Sequence, residues 1–214
     1  MNINSQSKRI LCYGDSLTFG SDHVNNKRLN VNERWTGVLQ QMLGNKYEII
    51  EEGLGGRTTE LDDPKIDGKN GLLYFKSTIA SHIPIDFVVI LIGTNDLKIR
   101  FNRTPQQIAS SFERYNEAIR SACDKWRLEY PKVLLVAPPL VNEAQTPKDW
   151  GFDGAGEKSK QLAEEYKKVA DKLNFEFLNL SPIVKPSEFD GTHLEAKENI
   201  KVAEAIYSKI VQER

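Results

Sequence analysis

The length and charge of the chain exclude several classes of protein. Its 214 residues suffice for one ordinary domain, which would bury roughly 70% of its unfolded surface without metal or disulfide cross-links. The 29 Lys and Arg residues balance 30 Asp and Glu residues, so the basic excess typical of nucleic-acid-binding proteins is missing. With 39% hydrophobic and 28% charged residues, the composition is typical of a globular protein. We therefore expect residues 1–214 to form a single domain.

The sequence has neither the pattern of a membrane span nor that of a secretory signal. Its longest uninterrupted apolar run, Phe87 to Ile92, is far shorter than the roughly 20 residues of a membrane helix. The first residues, MNINSQSKR, contain no apolar signal-peptide core, which predicts a cytoplasmic protein. Cys12 and Cys123 lack the spacing and the neighbouring histidines of a metal site, so we expect both to be reduced core residues.

Short apolar runs and helical stripes alternate along the chain. The runs predict five strands, at Lys8 to Gly14, Lys46 to Gly53, Asp86 to Gly93, Lys132 to Pro138 and Phe175 to Leu180. Apolar residues at steps of three and four predict helices around Trp35 to Met42, Leu72 to Ile79, Ile108 to Trp126, Leu162 to Leu173 and Ile200 to Ile210. Several strands are apolar on both faces, which indicates a parallel sheet covered on both sides. The sequence therefore predicts a three-layer α/β/α fold of flavodoxin-like topology, with a five-stranded parallel sheet.

Two irregular segments, residues 62–71 and 140–156, are long for connections within a compact domain. Both carry Gly, Pro and Asp, and the second also holds Trp150 and Phe152. Long loops often form lids or the walls of binding sites, but they are as often plain surface loops. The sequence is compatible with either a binding-site wall or a plain surface loop for each segment.

Polar residues follow three of the predicted strands and precede the last predicted helix. These motifs are GDSLTFG at 14–20, GLGGRTT at 53–59, GTND at 93–96 and DGTH at 190–193. Taken singly, each of them also fits an ordinary turn or helix cap. Because ligands bind beyond the carboxyl ends of the strands in doubly wound sheets, we expect the motifs to meet at one edge of the sheet.

Together the four motifs meet the requirements of acyl transfer. That chemistry needs a nucleophile, a base, a group that orients the base, and donors for the oxyanion. Ser16, His193, Asp190 and the pair Gly56 and Asn95 could fill these roles. A spacing of three residues lets a carboxylate reach the imidazole Nδ1, which leaves Nε2 free to face the serine. The imidazole is suited to this proton transfer because its unperturbed pKa is about 6.5.

The motifs, in this order, resemble those of the SGNH hydrolases, also called GDSL esterases and lipases. The resemblance covers nearly the whole chain. It implies a catalytic triad: Ser16 of the GDSL motif is the nucleophile, and Asp190 and His193 are the other two members.

The resemblance also implies an oxyanion hole with three donors. These are the backbone N–H groups of Ser16 and Gly56 and the side-chain amide of Asn95. The double glycine leaves a one-residue alternative, because Gly55 could supply the backbone amide in place of Gly56.

Within the family, four stretches look closest to the bacterial arylesterase and acyltransferase branch: RILCYGDSLTFG, ERWTGVL, IIEEGLGGRTTELDDP and LIGTNDLK. The resemblance implies a homo-oligomeric esterase that needs no cofactor or metal, acts on small-molecule esters with short acyl groups and in some cases transfers the acyl group. Phe19, Leu54, Trp150 and Phe152 are candidates for the lining of its pocket, with ordinary packing as the alternative for each.

Three other assignments share part of this pattern of residues. A metal-dependent phosphohydrolase also uses Asp, Asn and His at strand ends, but His23 and His82 lie outside the motifs, and we expect them to be structural or surface residues. A non-enzymatic flavodoxin-like binding module would fit the fold, yet it has no need of a Ser/His/Asp set, and no GxxxxGK or GxGxxG phosphate loop is present. The other large serine-esterase fold would show GxSxG, whereas Ser16 is followed by Leu17 and Thr18.

Overall fold

The computed structural model describes residues 4–211 and contains a five-stranded parallel sheet flanked by helices. The strands of this sheet are β1 (Lys8–Gly14), β4 (Tyr47–Gly53), β5 (Phe87–Leu91), β6 (Lys132–Ala137) and β7 (Glu176–Asn179). The helices are α1 (Ser16–Phe19), α2 (Trp35–Leu43), α3 (Gly71–His82), α4 (Pro105–Trp126), α5 (Ala155–Leu173) and α6 (Ala196–Val211). The predicted α/β fold with its five-stranded parallel sheet is therefore confirmed.

The order of the strands brings the first three motifs together. The sheet runs β4-β1-β5-β6-β7, so β1 lies between β4 and β5. At the carboxyl ends, Gly14 of β1 is in register with Gly53 of β4 and with Leu91 of β5. The segments that follow these strands consequently start side by side at one edge of the sheet.

The hydrophobic core has two parts, one on each face of the sheet. On one face α3, α4 and α5 contribute buried rings, among them Phe75, Phe112 and Tyr166. On the other face α2 and α6 contribute residues such as Trp35 and Ile206. Cys12 and Cys123 are both buried and unpaired, as expected. Strands that are apolar on both sides are thus covered on both sides, as the sequence predicts.

Two small elements near the first motif have no counterpart in the sequence prediction. One is the single-turn helix α1, and the other is a hairpin of β2 (Ser21–Asp22) and β3 (Lys27–Arg28). Both are too short to show a hydrophobic period. The hairpin matters for function because His23 lies in its loop. Within residues 4–211, no helix is long and apolar enough to cross a membrane.

Candidate active site

The first motif places Ser16 directly at the carboxyl end of β1. Helix α1 begins at Ser16, and the carboxylate of the preceding Asp15 accepts a hydrogen bond from the Leu17 N–H at 2.9 Å. A side chain on Gly53 would overlap the backbone of Phe19, so glycine there allows α1 to cross closely over the end of β4. The turn at Ser16 is therefore fixed by the Asp15 hydrogen bond and by the close packing of α1 on β4. The Ser16 hydroxyl faces the space beyond the strands.

Ser16, His193 and Asp190 form one continuous chain of hydrogen bonds. Nε2 of His193 lies 2.9 Å from Oγ of Ser16, and its Nδ1 lies 2.8 Å from Oδ2 of Asp190. The other carboxylate oxygen accepts the backbone N–H groups of Thr192 and His193, at 3.0 and 2.9 Å. This is the geometry that a nucleophile, its base and an orienting acid require.

Asp190 is held in its ionised form. Burial would raise the pKa of this carboxyl group, but the hydrogen bond and the charge of His193, together with the two backbone N–H groups, outweigh it. The pKa consequently lies well below its usual range. A carboxylate that stays ionised at neutral pH can orient the neutral imidazole and stabilise the imidazolium ion that forms when the base takes a proton.

The carboxyl group of Asp15 has the opposite environment. Its side chain is fully buried, and its Oδ2 atom has no hydrogen-bond partner among the described residues. Burial raises the pKa of Asp15 from 3.8 to about 6, only partly offset by the Leu17 N–H and the charge of His193. The ionised form of this group therefore destabilises the folded protein.

Asp15→Asn is expected to raise the free energy of unfolding at pH 8 and to lose that gain near pH 4. Because the folded pKa is the higher one, the native protein binds more protons between the two values, and its stability falls as the pH rises from about 4 to 6. A shift of about two units corresponds to roughly 3 kcal/mol above that range. Asparagine keeps the acceptor for Leu17 and removes the charge. Urea unfolding at both pH values measures the difference.

The exposed Asp67 supplies the matched control for this prediction. Asp67→Asn makes the same chemical change without removing a buried charge, so it should alter stability little at either pH. Equal effects of Asp15→Asn at pH 4 and pH 8 would show that the carboxyl group is not a source of strain.

The second motif forms a tight turn beside Ser16. The Arg57 N–H donates to the Leu54 carbonyl at 3.1 Å, which closes a β-turn over residues 54–57. Gly56, at its third position, has a φ of 78°, a left-handed conformation that favours glycine. Gly55 and Gly56 both line the cavity that contains Ser16. The assignment of the oxyanion donor to Gly56 thus stays a prediction.

The third motif places the side-chain amide of Asn95 against this turn. Nδ2 of Asn95 donates to the Arg57 carbonyl at 3.1 Å, and Oδ1 accepts a hydrogen bond from the ammonium group of Lys98 at 2.7 Å. Since Lys98 can only donate, the contact fixes which end of the amide carries the oxygen. One N–H of the amide is used by Arg57, and the second remains for a ligand in the cavity.

A buried carboxylate ties the second and third motifs together. The N–H and hydroxyl groups of Thr59 both donate to Asp96, at 2.8 and 2.6 Å. Arg103 donates to the same carboxylate at 3.2 Å. Because every partner is buried, this network fixes the relative positions of Gly56 and Asn95.

A cavity of about 580 Å³ opens over these groups. Its walls come from the four motifs, the hairpin and both irregular segments: Ser16, Leu17, Ser21, His23, Gly55, Gly56, Lys65, Ile66, Lys69, Thr94, Asn95, Lys98, Arg100, Asp149, Trp150, Phe152, Thr192 and His193. Trp150 and Phe152, expected in the pocket, are among these residues. Phe19 and Leu54, also expected there, do not line this cavity. The Phe19 ring instead packs under the Arg28 guanidinium group, 4.6 Å from its centroid.

His23 is the site residue that the sequence analysis missed. We expected a structural or surface role, but its ring stacks on that of His193 with centroids 4.0 Å apart, and Trp150 meets His193 edge-on at 5.8 Å. Burial, followed by the charge of His193, lowers the pKa of His23. In the described part of the chain, ligand atoms of His23, Asp190 and His193 lie within 4.8 Å of one another, close enough for a metal ion. His82 lies elsewhere, 3.0 Å from Glu52.

Most of the chain matches the model of one protein family. Residues 12–199 match the model of the GDSL-like lipase/acylhydrolase family, a span that holds all four motifs. The chain belongs to this family. The resemblance to SGNH hydrolases is confirmed, and membership in the GDSL-like family makes the protein a carboxylic ester hydrolase.

Solved structures of family members resemble the whole chain. A carbohydrate acetylesterase from Sinorhizobium meliloti is 37% identical, with a TM-score of 0.89 over 97% of this chain and 100% of its own. The aryl esterase of M. smegmatis is 35% identical, with a TM-score of 0.88 over 96% of this chain and 99% of its own. A second carbohydrate acetylesterase family member from S. meliloti is 32% identical, with a TM-score of 0.87 over 96% and 98% of the two chains. Among curated proteins, none matches the chain.

Proposed function

We propose that this family member hydrolyses esters through a covalent acyl-enzyme on Ser16. His193 takes the hydroxyl proton as Oγ attacks the ester carbonyl carbon, and it then gives that proton to the departing alcohol as the ester C–O bond breaks. Water attacks the acyl-enzyme next, losing its proton to His193, and the acid leaves as Ser16 regains its hydrogen. The observation that carries the proposal is the chain of hydrogen bonds from Ser16 through His193 to Asp190.

We further propose that Ser16, Gly56 and Asn95 stabilise the negative charge on the carbonyl oxygen. Preorganised donors lower the barrier because they need not reorient as the charge develops. Two features support this role for Asn95: its Oδ1 atom is held by Lys98, and one of its N–H groups is unused. The buried Asp96 network supports it further by keeping the two loops in place.

The substrates proposed are small-molecule esters with short acyl groups. A cavity of about 580 Å³ lies within the range of small-ligand sites, and the similar structures are named as acetylesterases and an aryl esterase. An alcohol that replaces water in the second step would receive the acyl group, so transfer to alcohols is the side reaction we expect. Homo-oligomeric assembly and cytoplasmic location stay predictions.

A metal-dependent phosphohydrolase is the second candidate, favoured by the grouping of His23, Asp190 and His193. Against it, both ring nitrogens of His193 already face protein partners, Ser16 and Asp190. A metal ion would have to displace at least one of them. The non-enzymatic binding module does not agree with membership in a hydrolase family.

Hydrolysis of p-nitrophenyl esters from acetyl to dodecanoyl, with and without a strong chelator, tests these alternatives. We expect activity that is highest for the shortest chains and unchanged by chelation, because the proposed reaction uses only protein groups. Loss of activity with chelator and recovery with Zn²⁺ would support the metal enzyme instead. A rate that rises towards dodecanoyl would contradict the short-acyl pocket.

A further inference from the structure

The wall of the cavity is unusually basic for a protein whose charges balance overall. Lys65, Lys69, Lys98 and Arg100 line it, whereas Asp149 is the one acidic lining residue in the described part of the chain. Arg100 is neutralised by Asp63, at 2.6 Å. Within residues 4–211, no carboxylate lies within ion-pair distance of the three lysine ammonium groups. The cavity therefore holds lysine charge that no carboxylate contacts directly, although Asp63, Asp15 and Asp96 attract Lys98 over a longer distance.

Two of these ammonium groups lie beside the proposed oxyanion donors. That of Lys98 is 2.7 Å from the Asn95 side-chain oxygen. Lys69 passes over Gly56, because a side-chain carbon built on that glycine would lie 3.4 Å from Lys69 Cε and 3.9 Å from Nζ. The positive charge is thus at the reacting end of the cavity, beside the groups that would hold the ester carbonyl.

Lys98 has neutral protein partners but no carboxylate within ion-pair distance. Its ammonium group lies 5.1 Å from the centroid of the Phe152 ring, and its side chain is mostly buried. Burial, followed by the neighbouring Arg100, lowers the pKa of Lys98 to about 8, so most of the group stays cationic at pH 7. A cleft with low-dielectric walls focuses the field of such charges towards an incoming anion.

We propose that this cavity selects esters that carry a second, anionic group such as a carboxylate, which binds Lys69 and Lys98. The inference rests on the proposed esterase function and adds a substrate class to it. An anion would give both ammonium groups a negatively charged partner, which no carboxylate of the described residues supplies at ion-pair distance, while Trp150 and Ile66 contact the apolar part of the molecule. Charge-assisted contacts of this kind discriminate strongly between a carboxylate and a neutral group of similar shape.

A competing explanation is that the lysines assist the oxyanion alone. In that case they would accelerate every ester, charged or neutral, by the same factor. Recognition of an anionic substrate would instead change the ratio between two esters that differ only in charge. This ratio separates the two explanations.

The experiment compares kcat/KM for two matched ester pairs at pH 7. One pair carries the charge on the leaving group: 3-(4-acetoxyphenyl)propionate and its neutral amide. The other carries it on the acyl group: the p-nitrophenyl monoester of adipic acid and its neutral amide. We expect the anionic member of at least one pair to react about tenfold faster, the size of one charge-assisted contact. Raising NaCl from 50 to 500 mM should reduce this preference, because salt screens the attraction.

Lys69→Met should lower the anionic-to-neutral ratio at least about fivefold. Lys76→Met, an exposed lysine on α3 outside the cavity, makes the same change of charge and should leave the ratio unaltered. Equal rates within both pairs would overturn the proposal, as would an equal fall for charged and neutral esters in Lys69→Met. Neutral esters that are hydrolysed only when Ser16 is present show that the esterase function stands even if the anionic preference fails.

Discussion

Replacing Ser16 with alanine is expected to lower kcat for ester hydrolysis by at least about a thousandfold, as loss of a triad member does in serine hydrolases. In the proposed mechanism, the 2.9 Å contact between Ser16 Oγ and His193 Nε2 makes the hydroxyl nucleophilic, and without Oγ no acyl-enzyme can form. Hydrolysis of p-nitrophenyl acetate under saturating substrate gives the value. His193→Ala should produce a loss of the same order, since the residues act as one unit.

Ser77 offers a matched control, because it is an exposed serine on α3 outside the cavity. Ser77→Ala should keep full activity, which would show that the loss in Ser16→Ala depends on the position of the removed hydroxyl. A second readout is covalent labelling with a phosphonate ester, which should add to Ser16 in the native protein and to no residue in Ser16→Ala. Near-normal turnover by a folded Ser16→Ala protein would rule out the proposed nucleophile.

Asn95→Ala is expected to reduce kcat by about a hundredfold to a thousandfold while KM stays close to its native value. The proposed interaction of Asn95 with the carbonyl oxygen would strengthen as charge develops, so its loss should affect the transition state more than the bound substrate. Steady-state kinetics over a range of p-nitrophenyl acetate concentrations separates the two parameters.

The substitution also removes contacts that exist without substrate. The Arg57 carbonyl loses a donor and Lys98 loses its acceptor, so thermal unfolding of the variant must be compared with that of the native protein. Asn95→Asp provides a second variant of nearly the same shape, in which a carboxylate replaces the donating amide. We expect it to be at least as slow. A change confined to KM in Asn95→Ala would reject the oxyanion role.

Much of the fold could be predicted from sequence because its signals are local. Five apolar runs and five helical stripes each carry a period of their own, and strands such as β5, apolar on both faces, admit few arrangements other than a covered parallel sheet. The expected meeting of the motifs at one edge followed from that arrangement alone. The hairpin of β2 and β3 escaped prediction since two-residue strands contain no period.

The composition of the cavity wall was harder to predict for a related reason. His23, Lys65 and Lys69 lie in loops, where sequence spacing does not determine which side chains meet in space. Trp150 and Phe152 could be proposed because large aromatic residues in a long loop are uncommon. Phe19 and Leu54 could not be distinguished from them by sequence, as neighbours of a motif residue can point to either side of the backbone.

The proposed nucleophile and base lie far apart in the sequence, which affects when the folding protein becomes active. Ser16 and His193 are separated by 177 positions along the chain, yet their side chains share a hydrogen bond. A ribosome that has made the sheet up to β6 has not yet supplied the proposed base, His193, or its carboxylate partner, Asp190. Contacts between residues so far apart in the chain are expected to form late in folding. The chain loses conformational entropy when its distant parts are brought together, and only the contacts made afterwards compensate for that loss. Esterase activity should therefore appear after most helical and sheet signals during refolding, which makes it a reporter of the finished tertiary structure.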